Sequence, residues 1–195
     1  MPTQSQRSAA TTKALRKAAQ HLFARHGFER VAVDDIAASA GVTRGAFYHH
    51  YDSKEALFEV VFHQVETMLV DAVRAAAVTA SDPRDQLRLG MNRYLELASD
   101  RRHSRIVLID APAVLGHARY QQAEETHFLG LVTGSIAAIR PTARATEHAL
   151  TARALLAAVC ELATQTAEHH ADLDTARAVI QAFINGALPA EPPPS

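Results

Sequence analysis

"GVTRGAFYHHYDSK", running from Gly41 to Lys54, gathers two glycines, three aromatic residues and two adjacent histidines into fourteen positions. The stretch is too polar for a core and too aromatic for an ordinary loop. Its spacing explains both properties. A short helix fits Asp34 to Ser39, with Ile36 and Ala37 facing inward, and Gly41 then turns the chain. Thr43 has the side chain to cap a third helix, over 43–50. Two short helices joined by a glycine turn have helix-turn-helix proportions. On the third helix Phe47 and Tyr51 are i and i+4, share a face, and anchor it to the first and fourth helices.

The opposite face is left to solvent. A recognition helix reads base edges from its N-terminal turns, laid in the major groove. Arg44 has the planar fork to pair bidentately with guanine. Gly45 lets backbone approach closely, Ala46 offers a methyl contact to thymine, and Thr43 and His49 stand within base reach. Tyr48, His50 and Lys54 carry donors suited to phosphates. Ser53 can cap a fourth helix, whose first amides at Ser53 and Lys54 are free to meet a phosphate. His49 and His50 point about 100° apart on a helix, which argues against a metal pair.

Helical periodicity continues outward in both directions. Leu15, Ala18, Ala19, Leu22 and Phe23 mark one face of a first helix, capped by Thr11 or Thr12 and followed by Gly27 in a left-handed position. The fourth helix carries a long apolar stripe from Leu57 to Ala72. Asp82 and Pro83 open a fifth helix, "HSRIVLID" (103–110) is a sixth stopped by Pro112, and Phe128 to Ile139 is a seventh. An eighth helix spans 144–167, and a ninth runs from 174 to 185 with Gly186 as its cap. "PAEPPPS" (189–195) reads as a disordered tail. No alternating strand pattern and no internal repeat is visible. The pattern predicts an all-α fold of about nine helices.

Composition narrows the function classes. The chain has 195 residues, 48% of them hydrophobic, and a net charge of −1. Residues 1–54 hold eight Lys/Arg against four acids, a balance of +4, which leaves −5 for the remainder. A basic N-terminal piece on an acidic body suits a polyanion partner at one end. The single cysteine, Cys160, excludes an intrachain disulfide and a cysteine metal cluster, and with no signal-peptide or membrane run it points to the cytoplasm. Cys160 lies on the apolar helical stretch "RALLAAVCELA", where a small buried residue is expected. There is no Gly-rich phosphate loop, no HExxH and no catalytic constellation, so neither an enzyme nor a cofactor or metal site is expected.

"LFARHGFERVAVDDIAASAGVTRGAFYHHYDSKEALFEVV" closely resembles the DNA-binding domain of the TetR (tetracycline repressor) family of bacterial regulators. The matching positions include Phe23, Gly27, Phe28, Ile36, Ala40, Gly41, Gly45, Phe47, Tyr48, His50, Lys54, Leu57 and Phe58. The resemblance covers 9–69, with the helix-turn-helix itself at about 32–51, and implies a homodimer, a palindromic operator on double-stranded DNA, and release by a small-molecule effector. Two positions depart from the family's pattern. Val31 and Ala32 stand where Thr or Ser is common, so the second helix lacks a hydroxyl cap. Ala46 replaces a polar residue, which throws specificity onto Arg44, Thr43 and His49.

The body at 70–188 is then expected to bind effector and to dimerise. The fifth to seventh helices set Tyr94, His103, Asp110 and His117, then Tyr120, Gln121 and His127, between apolar positions. Met91 and Phe128 suit adaptable apolar walls. A ligand beside the fourth helix near Phe62, Val65 or Met68 would swing the heads apart. The mixture fits a largely apolar ligand with one or two polar handles. The eighth helix offers Leu155, Leu156, Val159 and Leu162, and the ninth Val179, Ile180, Phe183 and Ile184, as a four-helix dimer interface. Two alternatives stay open: a DNA-binding regulator that answers to a partner protein or to nothing, and a helical enzyme or carrier with an incidental helix-turn-helix.

Overall fold

A computed structural model describes residues 3–189, so 190–195 of the expected tail lie outside the described residues. Helices α1 (Gln4–His26), α2 (Val33–Ala40) and α3 (Arg44–His50) form a head. The long α4 (Lys54–Ala77) leads from it into a body. There α5 (Pro83–Ala98) packs against α4 and four later helices. α6 (Arg101–Ser104) runs without a break through a π-helical segment, Arg105–Asp110, into α7 (Ala111–Leu115). After Gly116, α8 (His117–Glu124) passes through a second π segment, Glu125–Leu129, into α9 (Gly130–Ile139). α10 (Ala145–Ala167) and α11 (Leu173–Ala187) close the body. Counting each π-linked run as one, the described residues form nine continuous helices and no strand.

The caps follow side-chain chemistry. Thr43 Oγ1 accepts from the Ala46 amide, Ser53 Oγ from that of Ala56, and Asp82 from those of Arg84 and Asp85. Gly41 sits in the left-handed helical region at φ +69°, ψ +31°, a conformation that only glycine adopts freely. Ala32 gives α2 no side-chain cap, as its methyl dictates. The reciprocal half of a capping box remains, because the Asp35 carboxylate accepts from the Ala32 amide at 2.9 Å. Glu55 in the first turn of α4 is held below the usual carboxylate range by its own backbone amide and then by Ser53.

Four boundaries differ from the sequence expectation, and one of them is the seventh helix, expected from Phe128, whose continuous run begins at His117. α1 starts at Gln4, well before Thr11, because Thr3 and Gln6 form a reciprocal capping box. Residues 4–14 carry no apolar stripe, so periodicity could not reveal that turn. Pro112 does not stop the sixth helix. It falls inside the continuous run, directly after the π segment and at the first residues of α7, and the helix carries on to Leu115. Gly186 is not a cap but lies inside α11, which ends when the Leu188 amide bonds to the Ile184 carbonyl.

One apolar core runs from Leu15 through the α4 stripe to Leu188, joining head and body. The junction is also polar. Gly27 follows α1 at φ +79°, ψ +158°, an extended positive-φ conformation instead of the left-handed helical one expected. It leads into Phe28, whose amide donates to Asp110 Oδ2 at 2.7 Å, and Arg105 ion-pairs with Asp110 at 3.2 Å. A Cβ on Gly27 would overlap the Arg105 guanidinium, which that ion pair holds in place. Gly27→Ala should therefore lower stability by about 1–3 kcal/mol, the scale of a strained positive-φ residue, as read by urea unfolding.

Candidate nucleic-acid interface and body cavity

On α3, Phe47 is fully buried and Tyr51, just past the helix end, is 8% exposed. The Tyr51 hydroxyl accepts from Arg16 Nε at 2.8 Å, tying α3 to α1 as the i, i+4 spacing implies. The opposite face is open: Thr43, Arg44, Gly45, Tyr48 and His49 are exposed, and Ala46 and His50 half-buried. Arg44 is not loose on that face. It pairs with Asp34 of α2 at 2.8 Å and lies 5.6 Å from the Tyr48 ring centroid. His50 Nδ1 meets Thr12 Oγ1 at 3.3 Å, so the end of α3 is fixed to α1 as well.

Lys54 has a role the sequence did not suggest. Its ammonium donates to the carbonyls of Phe28 and Val31 at 2.9 and 3.0 Å and sits 4.0 Å from the Phe28 ring centroid. Two of its three donors thus hold the α1–α2 connection, leaving one for any phosphate. Near it the rings of Phe23, Phe28 and Phe58 meet pairwise at 5.1–5.7 Å.

The body contains a cavity of about 190 Å³ between α4, α5, α9 and α10. Val73, Leu87, Met91, Tyr94, Phe128 and Val132 make its apolar walls. Gln86, Ser135 and Arg74 are the polar lining. Gly90 lets α4 and α5 close up here, since a Cβ would stand 3.3 Å from Val73 Cγ1. Tyr94 packs edge-on to Phe128 at 5.1 Å and its hydroxyl lies 3.3 Å from Cys160 Sγ. Burial first, then Cys160 and the buried Glu66, push that hydroxyl well above the usual tyrosine value.

Of the twelve expected pocket residues, three line the cavity: Met91, Tyr94 and Phe128. Phe62 and Val65 are fully packed in the core, while Met68 is 37% exposed on another face of α4. His103 donates to or accepts from nothing in the cavity; its Nδ1 contacts the Leu97 carbonyl. Asp110 belongs to the head–body junction. His117 and Gln121 are exposed, and the Tyr120 ring lies tilted against Phe62 with centroids 6.2 Å apart. His127 faces His63, with Nε2 and Nδ1 3.3 Å apart. The cavity instead draws on the last turns of α4 and on Gly90. A glycine amid "LRLGMNRYLEL" was the one readable sign of close helix packing there.

The expected dimer residues divide by exposure. Leu155, Val159, Ile180 and Ile184 are buried in the chain's own core, and Leu156 and Leu162 are half-buried, with Leu156 beside the cavity. Val179 and Phe183 remain open at 40% and 53%, joined by Leu150 at 68%. Ala154, Ala157, Ala178 and Ala182 are exposed on the same two helices.

Burial first, and then His63, hold the His127 ring below the ordinary histidine value. Protonation therefore costs more in the folded state, so stability is complete above that value, near pH 6.5, and falls as the pH drops below it. Between pH 7 and about 5.5 the melting temperature of His127→Gln should fall less than that of the wild type, by differential scanning fluorimetry.

Comparison with known proteins agrees with this geometry. The pattern described as "Bacterial regulatory proteins, tetR family" matches residues 15–61, and "Tetracyclin repressor-like, C-terminal domain" matches residues 84–186. The Transposon Tn10 TetC protein of Escherichia coli is 26% identical over 129 residues, 66% of this chain and 63% of that protein. The HTH-type transcriptional repressor KstR2 of Mycolicibacterium smegmatis is 33% identical over 87 residues, 45% of this chain and 42% of KstR2. The chain thus aligns with less than two thirds of the length of these curated relatives. A crystal structure of a TetR-family transcriptional regulator from Pectobacterium atrosepticum superposes with a TM-score of 0.79 at 27% identity, over 96% of this chain and 98% of that one. The C-terminal match alone takes in residues 84–186, more than half of the chain, and with the head matched as well the protein belongs to the tetR family of bacterial regulatory proteins, DNA-binding transcriptional regulators with a helix-turn-helix.

Proposed function

We propose that the protein is a ligand-responsive repressor which binds a palindromic operator as a homodimer and lets go when a small, largely apolar effector enters the body. The reading rests above all on one observation: α4 follows directly on the expected recognition helix α3 and ends as a wall of the apolar cavity. Residues 9–69 would read DNA, and 70–188 would bind effector and pair the subunits. Arg44, Thr43 and His49 would meet base edges, with Gly45 and Ala46 closely packed against them. Tyr48, His50 and the remaining Lys54 donor would meet phosphates. The exposed apolar stripe of Leu150, Val179 and Phe183, flanked by alanines, suits a partner copy by close helix packing.

Two reading helices must stand roughly 34 Å apart to enter successive major grooves on one face of DNA. An effector that binds the DNA-incompetent spacing more tightly releases the operator by that difference, typically about 1–3 kcal/mol. In-vitro selection from random duplex DNA should enrich a palindrome with half-sites about one turn apart. An unstructured or non-palindromic enrichment would sink the dimeric reading. Arg44→Ala should weaken binding to the selected site by roughly tenfold or more, and Tyr48→Phe by less, as read by fluorescence anisotropy. Both variants should stay dimeric in sedimentation. Phe183→Asp should instead give a folded monomer, because the side chain is exposed within the subunit and its loss leaves the core intact.

A further inference from the structure

We infer that the effector is a small organic acid, its apolar body held between Met91, Tyr94 and Phe128 and its carboxylate paired with Arg74 at the mouth of the cavity. The inference rests on the effector reading above and gives that site a ligand class. The lining contains one cation, Arg74, and no acidic residue. Arg74 is exposed in the last turn of α4, and among the described residues no carboxylate lies within ion-pair distance of it. Several other surface guanidiniums of the body, among them Arg88, Arg102 and Arg144, are paired with an acid, and those that are not, such as Arg101 and Arg140, do not line the cavity. A guanidinium left open above an apolar chamber suits a planar, singly charged carboxylate, which it can bind through two parallel hydrogen bonds.

The inner end of the cavity fixes the ligand's direction. There the Tyr94 hydroxyl, buried within the chain, is engaged with Cys160 Sγ. A ligand carboxylate placed inward would meet apolar walls and a Tyr94 hydroxyl already engaged with Cys160, whereas placed outward it meets Arg74, with Gln86 and Ser135 nearby in the lining. Size sets the body of the ligand. A dry apolar cavity of about 150 Å³ accepts a benzene ring, and this one is about 190 Å³. One aromatic ring or a short alkyl chain fits, and the edge-to-face pair of Tyr94 and Phe128 already offers an aromatic wall. A bulky polycyclic ligand does not fit. Because Arg74 rides on α4, the pairing would also act on the helix that carries the reading head.

The test uses full-length dimer, checked by native mass spectrometry to hold no resident ligand, and three probes that share one body: 3-phenylpropanoate, 3-phenylpropanol and 3-phenylpropylamine. Dissociation constants are read by isothermal calorimetry near pH 7.5, for wild type, Arg74→Gln and Arg74→Lys. The expected result is that the acid binds roughly tenfold or more tightly than the alcohol, the worth of a charge-assisted pair, with the amine weakest. Arg74→Gln should bring the acid down to the level of the alcohol and leave the alcohol unchanged, and Arg74→Lys should keep part of the preference. Equal binding of acid and alcohol to the wild type would overturn the anion assignment while leaving the effector cavity standing. An acid preference that survives Arg74→Gln would overturn the role of Arg74. Binding of none of the three would overturn the inference together with the effector reading.

Discussion

Phe28 is the residue on which the seating of the head depends. Its amide is held by Asp110 of the body, its carbonyl by Lys54 at the start of α4, and its ring by Phe23 and Phe58. Hydrogen bonds alone would be worth little here, about 1 kcal/mol each. Their value is geometric, because they fix one backbone unit from three different elements while the aromatic cluster excludes water. The positive φ of Gly27 exists to deliver Phe28 to that point, and the π segment Arg105–Asp110 exists on the other side to present Asp110 and Arg105 together. A chain with an ordinary α-helical turn at 105–110 would rotate one of those two side chains away.

The head was largely legible in the sequence, and the reason is that its determinants are local. A hydroxyl at Thr43 or Ser53 acts on an amide three residues away, and a glycine at Gly41 turns the chain where it stands, so spacing alone reveals them. Phe47 could be assigned inward from helical periodicity. The body's cavity was not legible in that way. It is defined by what the packed helices leave empty, and polar residues such as His103, Asp110 and Gln121, which looked like ligand handles, are spent on backbone, on the junction or on solvent. The π segments leave no pattern either, since a widened turn changes register without changing composition.

The same distinction explains the proposed dimer face. Leu155, Val159, Ile180 and Ile184 are apolar positions of α10 and α11 that the chain's own core claims. What remains outside is smaller and more dispersed: alanines with Leu150, Val179 and Phe183. A stripe of small residues lets two helix pairs approach closely, and the single exposed phenylalanine gives such a contact its largest apolar side chain. The interior of the subunit and its outer face are thus built from the same two helices, one turn of side chains apart.

Asp34 gives Arg44 an anion before any DNA arrives. In the proposed complex Arg44 exchanges that carboxylate for a base edge, so the step neutralises no additional phosphate and sets free no condensed counterion. The contribution of Arg44 to binding is then nearly independent of salt, unlike that of a lysine against the backbone. It also vanishes on DNA that offers no guanine in the right place, because there the guanidinium does best to keep Asp34. A built-in counterion of this kind lowers attraction to arbitrary sequence more than to the operator, and so widens the gap between searching and stopping.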